Sequence, residues 1–234
     1  MKVNRAVLAG VATAALIVTG ATAAAAAAFI NGDFESCTGC VLNHRGFDLL
    51  NGGSSQLTGW TVIGGHPNRA VDYVGPYWMP ESGSYSLALA GPGGGGVSQT
   101  FSTIVGEKYD VQFYISGAPS PTAHPIKTIA VTAGSTPTTD YNFNAAHNSL
   151  TNMGWQVENY IFTATSTSTT LSFVNDPEGA PGRGNAPQPF RLALDNVSVM
   201  AVPEPATWAM MILGFGFAGS SLRSARGNRA VAAA

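Results

Sequence analysis

The 234-residue sequence predicts an all-β domain, a two-sheet sandwich, set between two hydrophobic terminal segments. Apolar and polar residues alternate over 60–63, 84–89, 109–115, 126–131, 160–162, 170–174 and 192–199, the period of a half-buried strand. Glycine (28) and proline (14) are abundant while charged residues make up 10%, which favours many turns over helices. Within the body no window carries a helical stripe. Ten or so short strands in this length fit two packed sheets.

The clearest strand is 109–115, where Val111, Phe113 and Ile115 share one face and Asp110, Gln112 and Tyr114 the other. Turn clusters stand at Gly52-Gly53-Ser54-Ser55, 91–96 and 177–189. The run Gly93-Gly94-Gly95-Gly96 lacks the Lys-Ser/Thr and the helix of a phosphate loop, and is expected to be a flexible turn. A body of this size hides about two-thirds of its unfolded surface, so neither metal nor disulfide is required for folding.

The ends are addresses. Residues 1–28 open with Lys2 and Arg5, continue with an apolar run over 6–18 and finish in small residues, the three parts of a secretory signal peptide. The domain then occupies 29–201. Residues 202–234 hold Pro203, Glu204 and Pro205, then Trp208 and Ala209, an apolar run to Leu222, and Arg223, Arg226 and Arg229. The prolines keep the segment ahead of the apolar run extended, and the arginines hold the C-terminus cytoplasmic, which leaves the β domain outside. The apolar run is near the lower length limit for a span.

That order of motif, apolar stretch and terminal arginines resembles the PEP-CTERM sorting signal of Gram-negative bacteria. The resemblance implies processing by an exosortase, a membrane cysteine protease, with a hydrophobic sorting helix in the membrane before cleavage. Delivery would be to the cell surface, outer envelope or exopolysaccharide matrix.

Between Phe29 and Val202 stand six Lys plus Arg against twelve Asp plus Glu, a net charge of −6 with no basic cluster. Such a surface repels phosphate backbones and excludes nucleic acid as partner. Asn31-Gly32-Asp33-Phe34-Glu35, Gly59-Trp60, Val71-Asp72-Tyr73-Val74-Gly75, Trp78, Ser86-Leu87, Ser98-Gln99-Thr100-Phe101 and Leu194-Asp195-Asn196-Val197-Ser198-Val199 follow one another as in the choice-of-anchor C family. The body is similar to galactose-binding-like jelly rolls and to non-catalytic carbohydrate-binding modules. The resemblance implies that Glu35 and Asp195, on the first and last strands, hold a structural Ca²⁺. Backbone N–H groups at strand ends are the alternative partners for both carboxylates.

Cys37 and Cys40 lie outside the membrane, with no helix following, and read as a local disulfide that shapes a loop. His44, His66, His124 and His147 lack zinc spacing. Asp72, Glu81, Asp176 and Glu178 are carboxylates without a catalytic setting, and no Gly-x-Ser-x-Gly elbow is present. Sugars stack C–H faces on flat rings, so aromatic residues are the remaining lead. Trp78, flanked by Tyr77, Met79 and Pro80, is the best exposed candidate, with Tyr73 and Trp155 behind it, and Trp60 fits the core; for each of them a packing role outweighs a binding one, since large aromatic residues are usually mostly buried. The sequence thus predicts an exported, non-catalytic protein that binds extracellular polysaccharide or serves as a structural component. The competing classes are a secreted polysaccharide hydrolase and a self-assembling surface subunit.

Overall fold

The computed structural model describes residues 28–64, 70–89, 94–119, 125–175 and 191–203. These form a jelly-roll β-sandwich of eleven strands, and no helix occurs among the described residues. In chain order the strands are β1 (Phe47–Leu50), β2 (Thr61–Gly64), β3 (Val71–Val74), β4 (Ser86–Leu89), β5 (Gly95–Ser102), β6 (Lys108–Gly117), β7 (Ile126–Ala133), β8 (Thr139–Asn144), β9 (Gln156–Thr163), β10 (Ser168–Asn175) and β11 (Leu192–Ala201). One sheet has the order β1-β3-β4-β11-β6-β9 and the other β2-β5-β10-β7-β8, with every pairing antiparallel.

The main core lies between the sheets. Val111, Phe113 and Ile115 of β6 are fully buried there, facing Leu171 and Phe173 of β10, and the Phe113 and Phe173 rings meet at 5.1 Å. Trp60 is buried as expected and packs on Phe29, Phe34 and Phe173, while its indole N–H donates to the Asn31 carbonyl at 2.9 Å. Burying an aromatic side chain is favourable only when its polar tip finds a partner, and the N-terminal segment supplies it.

That segment is no strand, so Glu35 does not sit on the first strand as the sequence suggested. It is tied down by side chains instead. The buried Gln99 amide accepts from the Ile30 N–H at 2.8 Å and donates to its carbonyl at 2.9 Å, and Val197 donates to the Gly32 carbonyl at 2.8 Å. A β-carbon at Gly32 would fall 1.8 Å from the Val197 oxygen, so this close approach demands glycine.

Strands β1, β3, β5 and β8 escape the alternation test. All four residues of β3 and of β4 are buried, because the outer face of their sheet is covered too. The expected flexible turn at Gly93-Gly94-Gly95-Gly96 is corrected in its second half, since Gly95 and Gly96 open β5. A β-carbon on Gly96 would meet the Phe173 carbonyl oxygen at 2.2 Å, so glycine here brings β5 against β10.

Candidate functional site

The loop of residues 75–85 joins β3 to β4 and folds back across the outer face of the six-stranded sheet. It builds a second apolar cluster there, of Phe47, Val74, Trp78, Ala88, Met153 and Ala193. Trp78 is 3% exposed and its indole N–H donates to the Ser86 hydroxyl at 2.8 Å. Of the two roles open to Trp78 the structure shows packing and not an exposed platform: small Ala88 and Ala193 leave a hollow on the sheet, and the largest nearby ring fills it. Tyr73 is equally buried, facing the main core with its ring stacked on Tyr85 at 4.7 Å. Burial, reinforced by Tyr85 and then by Glu35 and Asp33, drives its phenol pKa upward.

A second segment, residues 148–155, meets the loop. Asn148 donates to the Ser116 hydroxyl and the Gly117 carbonyl, Met79 N–H donates to the Leu150 carbonyl at 2.9 Å, and the Trp155 indole donates to the Met79 carbonyl at 3.1 Å. Between the two segments lies an open bowl of about 420 Å³, lined by residues 75–80, Ser84, Tyr85, Leu150 and Thr151. Tyr77, resting edge-on against Phe47 at 5.5 Å, and Tyr85 are half-buried; Met79 and Leu150 are 57% and 41% exposed. Among the described residues no charged side chain lines the bowl. Of the four aromatic residues singled out from sequence, Tyr77 and Trp78 line it, Trp155 braces it from behind, and Tyr73 supports it through Tyr85. Met79, Tyr85 and Leu150 were missed; Gly75-Pro76 and Pro80 in the sequence were the available signal for a built loop.

Two carboxylates hold the far half of this loop. Glu35 Oε1 accepts from the Ser84 and Tyr85 amides at 2.8 and 2.9 Å. Gly83, at φ +61°, passes so close that a β-carbon would lie 2.3 Å from that oxygen. Asp195 Oδ2 accepts from the Glu81 and Ser82 amides at 2.8 and 3.3 Å, and its Oδ1 from Asn196 N–H at 2.7 Å. Asn196 then donates its side-chain amide to Glu81 Oε2 at 2.7 Å. A register shift between Asp195 and Ser198 in β11, with Asn196 at φ 47°, produces this turn of the backbone. Burial pushes the Asp195 carboxyl up to about 7, against the opposing pull of the three amide donors and with added repulsion from Glu81.

Glu35 and Asp195 thus meet one loop, from two sides. A Ca²⁺ ion needs six to eight oxygen ligands. Here N–H groups occupy the positions in front of Glu35 Oε1 and both Asp195 oxygens. Among the described residues no group of three or more His, Cys, Asp or Glu forms a metal cage. The donors that meet these oxygens make the pair an amide clamp on the loop.

Cys37 and Cys40 are joined, with Cα atoms 5.7 Å apart. Asp72 is buried and paired with Arg191 at 3.3 Å, and the Arg191 guanidinium also lies over the Phe47 ring. His66, His124, Asp176, Glu178 and residues 177–189 lie outside the described residues, as does the sorting segment from Glu204 to Arg226, with Trp208, Ala209 and Arg223. No helix among the described residues is long and apolar enough to cross a membrane.

Residues 201–226 match the PEP-CTERM protein-sorting motif, which marks an exported, cell-surface protein. Halomucin of Haloquadratum walsbyi is 30% identical over 176 residues, or 75% of this chain; the chain spans 2% of that protein's length. Solved structures with a similar fold include a family 61 carbohydrate-binding module in complex with β-1,4-galactotriose. It has TM-score 0.42 and 14% identity, over 62% of this chain and 90% of that one. A CBM4 structure has TM-score 0.40 and 14% identity, over 74% and 99%. A family 35 module from Clostridium thermocellum has TM-score 0.40 and 9% identity, over 61% and 92%. Residues 27–190 match the model described as a protein of unknown function (DUF642), and the chain belongs to that family.

Proposed function

We propose that this is a non-catalytic glycan-binding domain of the envelope or extracellular matrix of a Gram-negative bacterium, with the bowl between residues 75–85 and 148–155 as its sugar site. One observation carries the reading. Half-buried Tyr77 and Tyr85 with exposed Met79 and Leu150 offer flat, apolar surface beside the Ser84 and Thr151 hydroxyls, on a loop fixed before any ligand arrives. Carbon–hydrogen faces of a sugar ring stack on such surface, and a loop that need not be ordered on binding loses less affinity to entropy. The uncharged lining and the net charge of −6 favour neutral over anionic polysaccharide. The carboxylates that hold the loop, Glu35, Glu81 and Asp195, each give an oxygen to an amide, which supports binding over hydrolysis. The tail supports release from the membrane by an exosortase, and the resemblance of the body to choice-of-anchor C proteins accords with a surface module whose anchor is interchangeable.

The test is a glycan array probed with the purified protein, beside a reducing-sugar assay. Binding of neutral glycans that falls at least about tenfold for Tyr77→Ala, the loss of one good stacking contact of about 1.4 kcal/mol, supports the reading. Sugar release by wild type would replace it with the hydrolase.

A further inference from the structure

The end of the sandwich from which the sorting tail departs exposes several large apolar side chains. The β5–β6 turn, residues 103–107, carries Ile104 and Val105 at its tip, 66% and 58% exposed. Beside it, Ile161 near the end of β9 and Met200 near the end of β11 are 61% and 68% exposed. The turn is not loose. Ile104 N–H donates to the Tyr109 hydroxyl at 2.9 Å, Thr103 N–H to the Thr167 carbonyl at 3.1 Å, and Gly106 N–H to the Ala164 carbonyl at 2.8 Å. The structure therefore fixes two β-branched apolar side chains in water, at a cost that an ordinary polar turn would avoid.

The path of the chain says what covers them. The last sheet hydrogen bond runs from Val202 N–H to the Lys108 carbonyl, a few residues beyond the apolar tip. In the sequence only Pro203, Glu204 and Pro205 separate Val202 from the apolar run that starts at Ala206. Four Cα steps reach at most about 14 Å, and the polar headgroup layer of one leaflet is about 6 Å deep. A domain tethered this tightly cannot stand off from the membrane while its tail is inserted. With the tail inserted, such a tether would keep the end that carries Ile104 and Val105 beside the headgroups.

We propose that Ile104 and Val105 seat the unprocessed protein on the lipid surface, docking the sandwich end-on against the outer leaflet until the tail is cut. The proposal rests on the reading that residues 206–222 enter the bilayer before processing. The contact is apolar, because among the described residues of this turn and the strand that follows it Glu107, Lys108 and Asp110 give a slight excess of acid. Screening by salt will not release it. Removal of the tail leaves two small side chains as the whole attachment, too little to hold the domain against dilution.

The test uses the full chain reconstituted into phosphatidylethanolamine–phosphatidylglycerol vesicles. An environment-sensitive dye is placed on V105C in one preparation and on N51C, in the exposed turn after β1 at the opposite end, in another; Cys37 and Cys40 stay oxidised and unlabelled. The expected result is a blue shift of the V105C dye and loss of its emission with headgroup nitroxide lipids, unchanged at high salt, and no response from N51C. A chain that floats with the vesicles and resists carbonate extraction while the V105C dye remains fully aqueous overturns the seating alone. A chain that does not float overturns the tail reading and the seating with it. A blue shift without vesicles that grows with protein concentration assigns the apolar tip to self-association and overturns the proposal.

Discussion

The two sheets present opposite solutions on their outer faces. That of the five-stranded sheet is a ladder of hydroxyls, with Thr61, Ser98, Ser172 and Thr132 in one cross-strand row and Thr100 opposite Thr170 in the next. That of the six-stranded sheet bears Phe47, Val74, Ala88 and Ala193, which are buried only because the loop of residues 75–85 lies over them. A solvated face needs nothing from the rest of the chain. An apolar one needs a cover, and the cover brings its own anchors, its own small core and a concave rim. The difference teaches that the candidate site is a consequence of the extra layer: Trp78 plugs the sheet, Glu35 and Asp195 pin the far side of the loop, and Tyr77 and Met79 are left at the rim.

The largest effect should come from pulling the plug. Trp78→Ala empties the second cluster and strands the Ser86 hydroxyl, and should destabilise the domain by about 3–5 kcal/mol. Urea unfolding of the variant measures it. A loss near 1 kcal/mol would mean that the cover is loosely laid and that the bowl is not preformed.

The clamp comes next. Asp195→Asn keeps one acceptor oxygen but points a donor toward the Asn196 N–H, at a cost of about 1–3 kcal/mol. Its pH dependence is more telling than its size. The folded carboxyl titrates at about 7, above its ordinary 3.8, so the folded state holds the proton more tightly than the unfolded chain does. The resulting stability is complete below about pH 4 and is lost as pH rises through 7. The advantage of wild type over Asp195→Asn, followed by melting temperature, should shrink from pH 5 to pH 8. A flat or widening difference would show that the amide donors dominate burial. At fixed pH, EDTA should leave the wild-type transition where it is; a downward shift would restore calcium to the loop.

How much of this was legible follows from the same contrast. Strands with one wet face, such as β6 with Val111, Phe113 and Ile115 alternating against Gln112 and Tyr114, announce themselves by period. β3 does not, because the cover buries Asp72 along with its apolar neighbours, and a strand dry on both sides has little alternation to read. The convergence of Glu35 and Asp195 was visible as a pairing of the two ends of the chain. That amides of residues 81–85 would meet them was not, since the loop lies far from both in sequence. Trp78 was found as a residue, with packing and surface roles both open, because nothing local reveals that Ala88 and Ala193, distant in sequence, leave it a hollow.

The smallest expected effect belongs to the other face. Thr100 and Thr170 share a hydroxyl hydrogen bond of 2.8 Å, exposed to solvent, and water replaces either partner at little cost. Thr170→Ala should therefore change stability by less than about 0.5 kcal/mol. The same threonine tests whether the hydroxyl ladder is merely solvated, since a sheet face that bound glycan would lose affinity in this variant while its melting temperature stayed put. If polysaccharide binding survives Thr170→Ala and falls with Tyr77→Ala, recognition lies on the covered sheet. The reverse outcome would transfer it to the ladder and leave the cover a purely structural layer, laid down because an apolar sheet face cannot be left bare.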